Sequence, residues 1–252
     1  MHANSFTYII GYRHKPDRLN NLRRVLDWIN GFQGVDLIVI EQDKNSKISH
    51  LNLKCRHIFL KSDKPYNKSW AFNVATKMAK SNIIIFADSD LIMNPNEFIE
   101  GLKMLEHHEM VNPYKSVVDL NPQESGLPLD GILKIDRPGR GETDHQKVPI
   151  CGGICMFRKD AIEKIAGWNE NFIGWGAEDD FVSIKVQHFL NWKQMDYRCY
   201  HLFHNREQPN VNEYQRNLNL LNQYNKLSKE ELTKSLHRDV QKNGFKNKYD
   251  EF

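Results

Sequence analysis

Ile83-Ile84-Ile85-Phe86-Ala87-Asp88-Ser89-Asp90 is the stretch from which the fold is read. Five apolar residues in succession predict a strand buried on both faces, and two carboxylates stand at its end. A continuous apolar run of this kind belongs to a parallel sheet covered by helices, whereas strict alternation would leave one face to water. Similar runs precede it, at Phe6 to Ile10 (ending at Gly11), Val35 to Glu41 and Arg56 to Leu60. Between them, Asp17 to Ile29 places Leu19, Leu22, Val25, Leu26 and Ile29 at helical spacing, and Asn67 to Ala79 fits a second helix. Strands alternating with helices predict an α/β fold with a mostly parallel central sheet flanked by helices. Such sheets bind ligands beyond the carboxyl ends of their strands, where Asp88 and Asp90 stand. Carboxylates at i and i+2 can turn toward one divalent cation or its ligands; the same pair can also cap a turn.

Downstream the pattern changes. Pro113, Pro122, Gly126, Pro128, Gly131, Pro138, Gly139 and Gly141 interrupt Asn112 to Val148, which predicts loops and short strands covering a site. Cys151 to Phe157 reads as a strand, Lys159 to Ile165 as a short helix, Phe181 to Phe189 as a helix and Gln194 to Phe203 as a strand pair. From Asn217 the chain is polar and helical, an appendage. The expected organisation is one domain over residues 1–210, with halves at 1–110 and 111–210, and a helical extension at 211–252.

Gly174-Trp175-Gly176-Ala177-Glu178-Asp179-Asp180 sets three adjacent carboxylates behind two glycines and a tryptophan. Three like charges repel, and partial burial raises the cost unless a cation or a ligand offsets it. The flat indole and the acceptor oxygens suit a sugar, with its apolar ring faces and its hydroxyl donors. The carboxylates also fit the first turn of a helix, where the macrodipole favours them, and both readings can hold. His201-Leu202-Phe203-His204 separates two imidazoles by three positions, so both rings can face one metal. With the Asp88-Ser89-Asp90 pair they would make an oxygen and nitrogen site suited to Mn2+, less typically Mg2+. Arg13, His14, Lys15 and Arg18 follow the first strand, where cations meet phosphates or are simply solvated.

The 252 residues can bury a sizeable core, and 40% hydrophobic with 27% charged residues is ordinary for a globular protein. A net charge of +3 makes no case for nucleic acid. No run approaches a membrane span and no signal peptide is evident, so the expected location is cytoplasmic, with docking of the Lys-rich tail to a membrane face left open. Cys55, Cys151, Cys155 and Cys199 follow no metal-site pattern and read as free thiols.

Taken in order from Tyr8 to Asn210, these motifs resemble the β-1,4-galactosyltransferase and N-acetylgalactosaminyltransferase group, inverting enzymes of the GT-A (nucleotide-diphospho-sugar transferase) fold. Arg13-His14-Lys15 is similar to the family's Arg-x-Arg at the uridine diphosphate. Tyr66-Asn67-Lys68 resembles its Phe-Asn-Arg, Asn73-Val74-Ala75 its Asn-Val-Gly, and Asp88-Ser89-Asp90 its Asp-Val-Asp. Gly152-Gly153 matches the glycine pair before the donor sugar, and Gly174 to Asp180 matches Gly-Trp-Gly-Gly-Glu-Asp-Asp.

The resemblance implies donor contacts from Arg13, Lys15, Tyr66, Lys68, Asp88, Ile150, Gly152 and Gly153. It implies metal ligation by Asp90, His201 and His204, with His201 standing where vertebrate members have Met. Trp175, Glu178 and Asp179 would meet the acceptor, Asp179 as general base. Ile150 replaces the Tyr of galactose-transferring members and leaves room for an N-acetyl group, which favours UDP-GalNAc over UDP-Gal. The expected partners are therefore a nucleotide-sugar donor and a carbohydrate acceptor. Alternatives are a catalytically silent binder of carbohydrate or nucleotide, a chondroitin-polymerase-like hexosaminyltransferase, and a metal-dependent phosphoesterase.

Overall fold

A computed structural model describes residues 5–143, 147–150, 152–205, 208 and 210–248. The first half runs β1 (Phe6–Tyr12), α1 (Pro16–Ile29), β2 (Val35–Asp43), β3 (Arg56–Lys61), α2 (Lys68–Met78), β4 (Ile83–Ala87), β5 (Leu91–Met93) and α3 (Pro95–Met104). Then come β6 (Met110–Asn112), β7 (Ser116–Asp119), α4 (Pro122–Ser125), α5 (Leu129–Ile132), β8 (Cys155–Arg158) and α6 (Lys159–Lys164). The chain closes with α7 (Glu178–Phe189), β9 (Trp192–Gln194), β10 (Arg198–His201), α8 (Val211–Tyr224) and α9 (Lys229–Lys242).

The strands make two sheets. The larger has the order β3-β2-β1-β4-β8-β6-β9, and the smaller the order β5-β10-β7. The first four strands of the large sheet are parallel, and β8 pairs antiparallel with both β4 and β6. Alternate residues of β4 go to opposite layers. Ile83, Ile85 and Ala87 join Tyr8, Leu22, Val25 and Phe98 on one face, while Ile84 and Phe86 join Ile9, Trp70, Phe72 and Trp168 on the other. Burial on both faces is why the run is unbroken, and it drives the fold through apolar area removed from water.

Some boundaries move from the sequence expectation. The strand expected from Cys151 begins at Cys155, because Gly152 and Gly153 take left-handed φ of +81° and +72° and turn the chain first; Cys151 itself lies outside the described residues. α7 begins at Glu178 rather than Phe181, so all three carboxylates occupy its first turn. The polar C-terminal part is bound into the domain, with Leu232 and Leu236 of α9 buried and Leu232 clustered with Phe172 and Phe181. Among the described residues no helix is long and apolar enough to cross a membrane.

Residues 243–248 strap α2 to the loop before α7. The Asn73 amide nitrogen donates to the Trp168 carbonyl (2.7 Å) and to Glu170 Oε1 (2.9 Å), while its oxygen accepts from the Trp168 amide (2.8 Å). Glu170, 3% exposed, also takes the Gly244 amide and the Lys248 ammonium. Trp70 Nε1 donates to the Phe245 carbonyl (2.7 Å). Asn73→Ala leaves backbone groups and a buried carboxylate short of partners. The expected result is a loss of roughly 2–4 kcal/mol, read as a lower urea midpoint at unchanged slope.

Candidate active site

The small sheet assembles a three-residue cluster from distant parts of the chain. β10 pairs antiparallel with β5, placing His201 opposite Leu91, and the Leu202 amide donates to the Asp90 carbonyl (2.8 Å). Asp90, His201 and His204 thereby bring one ligand atom each within 4.8 Å of one another. His204 Nε2 lies 3.3 Å from Asp90 Oδ2, and His201 Nε2 lies 3.9 Å from Asp90 Oδ1. Each imidazole is oriented through its other nitrogen. His201 Nδ1 meets Asp119 Oδ1 (2.9 Å), and His204 Nδ1 meets the Asn205 carbonyl (3.0 Å). Acceptors there hold the proton on Nδ1 and turn the Nε2 lone pairs toward Asp90, as in histidine metal ligands with a supporting carboxylate. Arg140 binds Asp119 through two bonds (2.7 and 3.1 Å). The 201–205 segment is pinned by Asn21 to the Phe203 carbonyl (3.0 Å), by Ser125 to the Phe203 amide (2.7 Å) and by Asp17 to the Asn205 amide (2.9 Å). An oxygen and two imidazole nitrogens, converging and supported, fit a Mn2+ or Mg2+ ion.

A second cluster gathers around Lys68 at the start of α2. Its Nζ is 3.3 Å from Asp88 Oδ1, 3.3 Å from Asp179 Oδ1 and 3.9 Å from Glu178 Oε1. Here is the cation that the adjacent carboxylates need. Burial works against the ammonium, but Asp179, Asp88 and Glu178 outweigh it and raise its pKa well above the ordinary lysine value. Burial likewise pushes the Asp179 carboxyl up, with Asp88 adding to it and Lys68 opposing. Glu178 is pushed up from 4.5 to about 7 by burial and by Asp179, and its Oε2 is buried without a hydrogen-bond partner among the described residues. A carboxyl whose folded pKa is raised contributes stability below its unfolded pKa and loses it as pH rises through the folded one. The melting temperature is therefore expected to fall as pH goes from about 4.5 to about 7. Glu178→Gln should flatten that part of the profile, measured by thermal melts across the range.

The glycine pair borders the Lys68 cluster. The Gly153 amide donates to Asp88 Oδ2 (3.1 Å), and the Tyr114 hydroxyl donates to the Gly152 carbonyl. A Cβ at Gly153 would stand 2.3 Å from Leu91 Cδ1, and one at Gly152 would stand 3.6 Å from Asp179 Oδ2. Only glycine fits the first position, and the second opens directly on the Asp179 carboxylate.

Other expected site residues lie as follows. Arg13 donates to the Gln42 carbonyl (3.0 Å) and the Lys64 carbonyl (2.7 Å), with its guanidinium 5.8 Å from the Tyr66 ring centre. It therefore ties the turn after β1 to the end of β2 and to the loop beyond β3. Lys15 is half-buried at the N-cap of α1. Ile150 is 6% exposed, packed in the second core layer, with its backbone N and O both bonded to Ser183 Oγ (3.2 Å each). Trp175 is 61% exposed, and its ring centre is 5.2 Å from that of Tyr214. Asp180 is exposed and stands outside the Lys68 cluster. Asp119, Tyr114, Tyr214 and Asn217 escaped the sequence reading. They lie in irregular or polar stretches and acquire meaning only through contacts across the fold.

A parallel sheet ending in the Asp-Ser-Asp turn, with histidines delivered by a small second sheet, defines the class as a GT-A glycosyltransferase fold. Residues 19–166, more than half of the 252, match the family model described as glycosyl transferase family 2, and the chain belongs to that family. Residues 144–205 match a second family model, described as the N-terminal domain of galactosyltransferase. No curated protein sequence matches the chain. Among solved structures it is similar to GalNAc-T7 with UDP, GalNAc and Mn2+, at a TM-score of 0.62 and 12% identity over 99% of this chain and 56% of that one. It is also similar to a mannosyltransferase, PcManGT from Pyrobaculum calidifontis with GDP-Man and Mn2+ (TM-score 0.57, 15% identity, 93% of this chain and 68% of that one). A third is the catalytic domain of Drosophila beta-1,4-galactosyltransferase 7 with xylobiose (TM-score 0.50, 15% identity, 82% and 75%). At such identities the likeness shows the fold alone.

Proposed function

We propose that this glycosyltransferase is metal-dependent and inverting, and moves GalNAc or Gal from a UDP-sugar to a hydroxyl of a carbohydrate acceptor. The observation that carries the reading is the position of Asp179. It shares Lys68 with Asp88 on one side and faces the open Gly152 turn on the other. Asp90, His201 and His204 would hold the ion, which when bound supplies Lewis-acid neutralisation of a departing diphosphate. Asp179 takes the proton of the acceptor hydroxyl as that oxygen attacks the anomeric carbon. Burial raises its pKa and so strengthens it as a base, and the Lys68 ammonium, 3.3 Å away, opposes that shift by favouring the carboxylate. A single in-line displacement turns an α-linked donor into a β-product. Trp175 offers its exposed face to an acceptor ring, and Glu178, beside Asp179, receives sugar hydroxyls. Asp88, Arg13, Lys15, Tyr66 and Lys68 line the donor side. The lean toward UDP-GalNAc rests on Ile150, a smaller side chain than Tyr that withdraws into the core and leaves the sugar's C2 side open. GalNAc-T7, with UDP, GalNAc and Mn2+ on the same fold, supports a hexosamine donor, and the galactosyltransferase match over 144–205 supports galactose.

The test is UDP release from a panel of UDP-sugars with Mn2+, with Mg2+ and with EDTA, followed by proton NMR of the product linkage. Metal-dependent release and a β-linkage are expected. An α-linkage would remove Asp179 as base in an inverting step, and binding of UDP without turnover on any donor or acceptor would favour the silent binder.

A further inference from the structure

We infer that α8 is the platform that presents Trp175 to the acceptor, with Asn217 and Tyr214 as positioning residues, an inference that rests on the transferase reading above. α8 begins at Val211, beyond residue 205 where the galactosyltransferase match ends, so its part in the site comes from contacts alone. Positions 214, 217, 221 and 224 share one face of the helix. Leu221 and Tyr224 seat that face on Phe172 and Phe181, and the Tyr224 ring centre is 4.1 Å from that of Phe181. Seated there, the helix carries Tyr214 and Asn217 against the loop that leads into α7.

Asn217 is fully buried, and its amide nitrogen donates to the carbonyls of Ile173 (3.2 Å), Trp175 (3.4 Å) and Gly176 (3.0 Å). One side chain thus holds the backbone on both sides of the indole. Arg216 donates to the Ile173 carbonyl as well, and on the far side the Gly174 amide donates to the Tyr66 carbonyl (2.8 Å). Gly176 takes a φ of +99°, and a Cβ there would stand 2.8 Å from Tyr214 Cδ2, so only glycine lets the loop come this close to the helix. The indole is treated in the opposite way. It stands mostly in water, with the Tyr214 ring at its side. A loop built only for packing would bury its tryptophan, which has the most apolar area to hide. Bonding the backbone while exposing the ring instead holds a flat apolar surface ready for a sugar, and fixing it beforehand lowers the ordering cost of binding. Asp179 has its own restraints, in Lys68 and in the buried Phe181 and Val182 of α7. Loss of the hold on the loop therefore falls on the acceptor, not on the nucleotide.

The test follows Trp175 directly. The full chain is labelled with 5-fluorotryptophan at its five tryptophans, and Trp175→Phe identifies the fluorine resonance of Trp175. Methyl β-glycosides of xylose, glucose, N-acetylglucosamine and glucuronic acid are titrated into the wild type, Asn217→Ala and Tyr214→Ala. In the wild type at least one glycoside should move the Trp175 line to saturation. Both variants should shift or broaden that line before sugar is added, and should bind the same glycoside roughly tenfold more weakly with UDP affinity unchanged. Asn217→Ala also strips buried carbonyls of their donor and should melt lower. Tyr214→Ala, at a half-buried helical position, decides the matter by itself if the first variant does not fold. A line that no glycoside moves, glycoside affinity unaltered in Tyr214→Ala, or an equal loss of UDP affinity would each overturn the platform. UDP release by the wild type with Mn2+ is measured alongside. Turnover with unaltered glycoside affinity in the variants removes the platform alone, whereas variant-sensitive glycoside binding without turnover removes the transferase reading alone.

Discussion

Asp179→Asn is expected to slow transfer by about 10²–10⁴-fold, the range that a positioned general base supplies. UDP affinity should stay nearly unchanged, because among the proposed donor-side residues only Lys68 is paired with this carboxylate, and it keeps Asp88 and Glu178 as partners. The substitution is nearly isosteric and removes one of three negative charges around Lys68. Since burial already disfavours the Asp179 anion, melting temperature should not fall. Stopped-flow transfer assays and UDP calorimetry separate the outcomes. A loss of nucleotide affinity comparable with the loss of rate would move Asp179 from the acceptor side to the diphosphate side.

Lys68→Met should have the largest effect on stability. It leaves Asp88, Asp179 and Glu178 around an apolar side chain, and unpairing buried charges costs about 3–5 kcal/mol. The sign with pH is fixed. Without the ammonium the carboxyls are pushed further up, so the destabilisation is smallest in acid, where they are protonated, and grows toward and above neutral pH. Urea denaturation at acidic and at mildly alkaline pH measures the difference. Equal destabilisation at both would mean that Lys68 acts through packing on Phe72 and Trp168, whose ring centres lie 5.7 Å from its ammonium.

The parallel half of the large sheet was legible because β1, β2 and β4 are buried on both faces and their apolar runs cannot be mistaken for surface. The residues of both clusters were also legible as types, since paired acids and a histidine pair stand out locally. What escaped was whatever depends on pairing between remote segments. The small sheet joins strands of three and four residues, too short for any period to show. Asp119 is one aspartate among many until β7 sets it beside His201. Lys68 carries no signal of its own beyond the donor contact that the resemblance implies, and only the fold reveals three carboxylates around it. The start of α7 was placed late because periodicity marks apolar residues, whereas its first turn is held by Ala177 at φ +71° and by acids at the positive end of the helix.

The pairing of β5 with β10 also bears on when the molecule can act. Asp90 and His204 are separated by more than a hundred positions, and loop closure over such a span comes late in folding. A ribosome-bound chain that has emerged only as far as α3 displays both aspartates of the turn, yet has neither imidazole to set beside them. If the three groups hold an ion as proposed, its capture must await the emergence of the last strand. The complete centre would then mark a chain that has crossed the barrier, and a nascent or half-folded one would carry only the aspartates.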